Sequence, residues 1–326
     1  MPWCRSPLRA AKISTSSQPY AGLDPECILD ALEVAGFEPD GRLLALNSFE
    51  NRVYQLGTGD SGFVVAKFYR PGRWSDAAIA EEHAFSFELA EAELPVVAPL
   101  VVDGESLHRH AGFRFAVYPR RGGRAPELQT VEHLEWMGRL LARMHNVGAT
   151  AAFRHRAVLD RASLVSGPVA AVASSPLLPE HLHEAYVAVT RSLQTALAAH
   201  DTQLAANAIR LHGDCHAGNV LWTDAGPHFV DLDDARSGPA IQDLWMLASD
   251  EASMSTLLEG YRQFRDIDER QRHLIPALRA MRQIHHAGWI AARWDDPAFP
   301  RAFPFAAEPR WWQEHIGDLR EALEAL

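Results

Sequence analysis

Strand-like patterning in this chain is confined almost wholly to residues 42–118, and helical patterning dominates beyond a turn-rich run, Pro119-Arg120-Arg121-Gly122-Gly123. Such segregation is the mark of an α+β protein with an antiparallel sheet at one end and helices at the other. Residues 42–46, 52–56 and 63–69 read as strands, and Gly57-Thr58-Gly59-Asp60-Ser61-Gly62 between the last two is hairpin chemistry. A short helix ending at Gly36 precedes them, and a longer one over 75–92 comes after, with Ser75 as its N-cap. Two further runs, 96–102 and 113–118, are expected to complete a mostly antiparallel sheet carrying one helix.

Beyond the connector, Val131, Leu134, Met137, Leu140, Leu141 and Met144 recur at helical spacing, and similar patterns occupy 182–199, 243–247, 257–264 and 274–294. The second half is therefore expected to be mainly helical. Its clear hairpin pairs 220–222 with 228–232 and brings Asn219 and Asp231 to adjacent strand ends. With 326 residues, 47% of them hydrophobic, the chain can bury two cores. The expected organisation is a flexible tail over 1–20, a sheet lobe over 21–119 and a helical lobe over 120–326.

A net charge of -11 disfavours a partner held through a phosphate backbone, so no nucleic acid is expected. Cys4, Cys27 and Cys215 show neither metal-ligand spacing nor a disulfide framework, which suits a reducing cytoplasm. Apolar runs such as 96–102 are too short to cross a bilayer, and the N-terminus lacks a signal-peptide apolar core. A soluble cytoplasmic monomer is the expectation.

The chemistry is concentrated in Leu211-His212-Gly213-Asp214-Cys215-His216-Ala217-Gly218-Asn219 and in Asp231 beyond the hairpin. An acid, an Asn five residues later and a second acid form the set that phosphoryl transfer uses: Asp214 to orient a hydroxyl, Asn219 and Asp231 to hold magnesium. Upstream, Lys67 interrupts an apolar strand, and the helix over 75–92 carries Glu81 and Glu82. A strand Lys paired with a helix Glu positions the α- and β-phosphates of ATP in kinases. A zinc hydrolase is the rival chemistry, because an extended backbone would put His212, Asp214 and His216 on one face; it leaves Lys67, Asn219 and Asp231 idle.

Several neighbours have secondary expectations. Asp243 can cap a helix or brace the catalytic loop, and Asp233, on one face with Asp231 if the segment is extended, is within reach of a second metal or the acceptor. Arg282, His285, His286, Trp289 and Arg293 either line an acceptor groove or pack. Residues 294–305 are expected as an ordered loop against the helical lobe.

His212-Gly213-Asp214-x-His216-x-x-Asn219, with Asp231 after the hairpin and Lys67 before it, resembles the aminoglycoside phosphotransferase and choline kinase branch of the protein-kinase-like fold. More narrowly, Leu46-Asn47-Ser48-Phe49-Glu50-Asn51-Arg52-Val53-Tyr54, Lys67-Phe68-Tyr69-Arg70-Pro71, Glu81-Glu82-His83 and Phe229-Val230-Asp231-Leu232-Asp233-Asp234-Ala235-Arg236 are similar to bacterial stress response kinases. The likeness runs from about residue 24 to the Trp294-Asp295-Asp296-Pro297 segment. It implies a two-lobed kinase-like fold, ATP and Mg2+, and phosphorylation of Ser or Thr in a protein substrate during stress. It further implies Asp214 as the catalytic aspartate, Asn219 and Asp231 as magnesium ligands, Lys67 and its partner Glu82 as phosphate-binding residues, and Ser48 as an ATP contact. Glu82 is preferred to Glu81 by its spacing to Pro95-Val96, and His212 is implied as a scaffold residue near the metal-binding Asp.

Departures are equally legible. No Gly-rich loop is present; Asn47-Ser48-Phe49-Glu50-Asn51 occupies its place, so phosphate contacts fall to backbone N–H groups and the Ser48 hydroxyl. Asp231-Leu232-Asp233 lacks the usual Gly, and no Ala-Pro-Glu segment comes after it. Because the wider branch mostly phosphorylates small alcohols, a small-molecule kinase is the alternative. A non-catalytic binding module would usually have lost one of Lys67, Asp214, Asn219 and Asp231, and all four are present.

Overall fold

The computed structural model describes residues 18–59, 62–128 and 130–326. Most of the expected tail, 1–17, lies outside them; Tyr20 stacks on Phe113 and donates its hydroxyl to the Glu50 carbonyl at 2.9 Å. Helix α1 (Pro25–Val34) starts at Asp24, whose carboxylate accepts from the Cys27 N–H at 2.9 Å. Next in the chain comes a five-stranded antiparallel sheet, with β1 (Pro39–Ala45), β2 (Arg52–Thr58), β3 (Gly62–Phe68), β4 (His108–His110) and β5 (Phe113–Pro119) in the order β1-β2-β3-β5-β4. Helix α2 (Asp76–Glu91) lies between β3 and β4 in the chain; Ser75 caps it by accepting from the Ala78 N–H at 3.1 Å, a bond worth about 1 kcal/mol.

Alternation in β3 decides where Lys67 points. Val64, Ala66 and Phe68 share one face and are buried with Ile28, Ala31 and Leu32 of α1. Val65 and Lys67 take the other face, which closes a cleft rather than meeting solvent.

The 96–102 run does not form a strand. Pro95 and Pro99 remove ladder donors, and only single bridges survive, Val96 with Phe229 and Val102 with Glu105. The segment instead ties the sheet region to the helical half through the Val97 N–H to Phe229 carbonyl bond, 3.0 Å, and the Phe229 N–H to Pro95 carbonyl bond, 2.7 Å.

The helical half contains α3 (Val131–Gly148), a π-helical turn at Ala162–Ser166, α4 (Gly167–Ala173), α5 (Glu180–Leu197) and α6 (Asp201–Ala205). Strands β6 (Ile209–Leu211), β7 (Val220–Thr223), β8 (Gly226–Phe229) and β9 (Arg236–Gly238) come next, then α7 (Ile241–Trp245), α8 (Glu251–Arg262), α9 (Ile275–Ala291), α10 (Ala298–Ala302) and α11 (Pro309–Glu324). Met137, Leu141 and Met144 of α3 pack with Leu257, Leu258 and Tyr261 of α8 in the main core. The β7–β8 hairpin forms, but its second strand runs over 226–229 rather than 228–232 and ends two residues before Asp231, whereas the β6–β9 pair joins two three-residue strands too short to announce themselves.

Residues 294–305 differ from the expected loop. They include α10, and although Phe299 and Phe303 pack on Trp289, the buried Asp296 reaches the sheet, where Arg52 and Arg70 donate to it at 2.7 and 2.9 Å. The segment therefore straps the sheet to the helices. Among the described residues, no helix is long and apolar enough to cross a membrane.

Candidate active site

Lys67 stands at the back of a cleft of about 830 Å3 between the sheet and the helical half. Its ammonium lies 3.2 Å from carboxylate oxygens of Glu82, Asp231 and Asp233. Burial works against this charge, but Asp233, Glu82 and Asp231 outweigh it and hold Lys67 well above the usual lysine range. Glu82 is also 3.6 Å from the Arg156 guanidinium. Glu81 points elsewhere and accepts the backbone N–H groups of Arg154, His155 and Arg156. The two adjacent glutamates thus divide the work, one facing the cleft and one pinning a loop of the helical half.

Asp231 has φ 59° and ψ 61°, the left-handed region that few non-glycine residues adopt. The reversal swings its carboxylate into the cleft, where the side chain is 51% exposed. Leu232–Asp234 then forms a 3-10 turn, so Asp233 does not continue an extended face with Asp231. Asp233 is buried instead, paired with Arg73 and accepting from Asn51 Nδ2 at 3.1 Å. That corrects its expected place beside a second metal or the acceptor. Arg73, in the loop before α2, also pairs with Asp234 at 2.8 Å; no periodic signal marks it in the sequence.

The loop carrying Asp214 is held by its backbone. Asp243, fully buried in α7, accepts the His212 and Gly213 N–H groups at 2.8 Å each and lies 3.2 Å from His145 Nε2. It braces the loop rather than capping its helix. Gly213, at φ 86°, lies so close to the Asp234 carbonyl that no side chain fits there. His212 places Nε2 3.0 Å from the Val230 carbonyl, directly before Asp231.

Asp214 meets a guanidinium and an imidazole. Arg282 of α9 donates to Oδ1, and His216 Nε2 is 3.4 Å from Oδ2. Burial pushes this carboxyl up, but His216 and Arg282 outweigh it and bring it down to about 2. Asn219 donates its amide nitrogen to the Asp214 carbonyl at 3.0 Å, leaving the amide oxygen as its acceptor. An amide oxygen and a half-exposed carboxylate are hard oxygen donors of the kind magnesium takes alongside phosphate, so Asn219 and Asp231 fit that ion. His212, Asp214 and His216 do not form a zinc site: among the described residues no group of three or more His, Cys, Asp or Glu is placed to hold a metal.

Ser48 lines the cleft, its hydroxyl donating to the Asn51 carbonyl at 3.3 Å. The loop around it is fastened by the helical half. Glu50 accepts from Trp289 Nε1 at 2.5 Å and from Arg293 at 2.6 Å, and Phe49 meets Phe303 edge-on, with ring centroids 5.0 Å apart.

Residues 42–275 match the family described as the phosphotransferase enzyme family. Stress response kinase A of Escherichia coli O157:H7 is 41% identical over 319 residues, spanning 96% of this chain and 97% of that one. Serine/threonine protein kinase RdoA of Salmonella typhimurium is 43% identical over 313 residues, 94% of each chain. Among solved structures, amicoumacin kinase hAmiN in complex with AMP-PNP, Ca2+ and Ami superposes with a TM-score of 0.71 at 19% identity, over 92% of this chain and 93% of that one. Spectinomycin phosphotransferase APH(9)-Ia, in complex with ADP and spectinomycin, does so with a TM-score of 0.64 at 13% identity, covering 92% and 98%. The fold is the two-lobed kinase-like one, an antiparallel sheet lobe over a mainly helical lobe.

Proposed function

Since the chain belongs to the phosphotransferase enzyme family and is related over nearly its full length to stress response kinases, we propose that it is a cytoplasmic serine/threonine protein kinase, acting as a monomer in a stress response. The observation that carries the phosphotransfer reading is Lys67, held at 3.2 Å from both Glu82 and Asp231 in the cleft that Asp214 also lines. A protein acceptor is favoured because a relative 43% identical over 94% of the chain is named a serine/threonine protein kinase.

In this reading residues 21–119 cover the nucleotide and residues 120–326 carry the acceptor side. Lys67, aligned by Glu82, binds the α- and β-phosphates of ATP, while Ser48 and the backbone N–H groups of residues 47–51 lie over the phosphate tail. Asn219 and Asp231 would hold magnesium, which when bound neutralises charge on the β- and γ-phosphate oxygens. Asp214 orients the acceptor hydroxyl and takes its proton as the hydroxyl oxygen bonds to the γ-phosphorus. The bond from that phosphorus to the bridging oxygen breaks, and ADP leaves.

The test is transfer of labelled γ-phosphate to a mixed panel of proteins and small alcohols. Label on Ser or Thr of protein, lost by roughly 10²–10⁴-fold in Asp214→Asn while nucleotide still binds, is expected. Label on a small alcohol alone would establish the small-molecule alternative.

A further inference from the structure

Both oxygens of Asp214 have partners, the Arg282 guanidinium on Oδ1 and the His216 imidazole on Oδ2. An acceptor hydroxyl arriving at Asp214 therefore meets both, and can take the place of one. His216 is fixed: its Nδ1 accepts the Gly218 N–H at 3.0 Å, which leaves the ring proton on Nε2, facing Asp214. Arg282 is the less anchored partner: its side chain is 44% exposed at the cleft, and Asp214 is its one hydrogen-bonding partner among the described residues.

The surroundings say what a displaced Arg282 would meet. Around it, the part of α9 that lines the cleft presents Leu278, Met281, His285, His286 and Trp289, with no carboxylate among them. Asp234, an acid on the neighbouring loop, is already paired with Arg73 and Arg236, at 2.8 and 2.7 Å. A cationic acceptor finds no unpaired carboxylate on this wall, whereas the guanidinium released from Asp214 offers an acidic acceptor a counter-charge.

Resting on the protein-kinase reading, we propose that Arg282 is a specificity-determining residue that selects acceptors with a carboxylate beside the hydroxyl, that is, Ser or Thr within an acidic peptide segment. The acceptor hydroxyl takes the place of the guanidinium at Asp214 Oδ1, and the acceptor's own carboxylate takes the guanidinium. One ion pair is exchanged for another, so an acidic acceptor loses less on binding than a neutral one.

The experiment compares kcat/KM for Ser peptides that differ only in a flanking Asp, Asn or Lys, in wild type, Arg282→Met and Arg282→Lys. Wild type is expected to prefer the Asp peptide over the Asn peptide by roughly three- to fivefold, the scale of one partly exposed ion pair, and the Lys peptide is expected to be the poorest. Arg282→Met should turn over the Asp and Asn peptides alike, and Arg282→Lys should keep the preference. Equal rates for these two peptides in wild type, or a preference that survives in Arg282→Met, would overturn the role of Arg282 and leave the kinase reading standing. Label on small alcohols and on none of the peptides would remove both.

Discussion

Arg52 and Asp296, 244 residues apart in the chain, meet in a two-pronged ion pair in which Nη2 lies 2.7 and 3.0 Å from the two carboxylate oxygens. Asp296 is 2% exposed and also accepts from Arg70. Asp296→Ala would leave two guanidinium groups without their shared anion, a change expected to cost roughly 3 kcal/mol. Denaturant unfolding measures this, and a variant as stable as wild type would show that the strap contributes nothing.

Lys67→Met removes the cation that three carboxylates share. We expect kcat/KM for ATP to fall by roughly 2–4 kcal/mol of transition-state stabilisation. Glu82→Gln keeps the ammonium and should lose less. Steady-state kinetics with varied ATP separates the two, and the reverse ranking would contradict the positioning role given to Glu82.

Stability should decline in mild acid. Burial depresses His83 to about 3 and His315 to about 4, from an ordinary value of 6.5. A depressed folded-state value means that the unfolded chain binds the proton first, so this stability is complete above pH 6.5 and is lost progressively as the pH falls towards 4 and 3. Each histidine is expected to contribute roughly 2 kcal/mol less at pH 5 than at pH 7. His315 stacks on Trp311 with ring centroids 5.5 Å apart, so His315→Phe can keep the packing while removing the proton site. The difference between the unfolding free energies at the two pH values should then shrink by roughly 2 kcal/mol relative to wild type; an unchanged pH dependence would exclude His315 as a source.

Residues whose role derives from local pattern were legible in the sequence. The alternation of β3, the cap at Ser75 and the hairpin after Asn219 reflect side-chain period and turn chemistry, and they carry Lys67, Glu82, Asn219 and Asp231 into one cleft. The hidden part was set by backbone reversals and distant partners. Asp233 lost its expected face because Asp231 turns left-handed before it, and residues 96–102 lost their ladder to two prolines. Arg73, Arg282 and Asp296 acquire meaning only from carboxylates or guanidiniums more than a hundred residues away or on another element, and no periodicity records such a meeting.

The contact of Gly213 with the Asp234 carbonyl ties the turn that presents Asp214 to the one that presents Asp231. Both turns belong to the helical half, so the separation of the Asp214 and Asp231 carboxylates, to which the proposed function gives the proton and the metal, is set within that half alone. Alignment and fastening are thereby assigned to different parts of the molecule. The strap at Asp296 fastens the sheet to the helices, while Asp214 and Asp231 keep one unchanging gauge within the helical half.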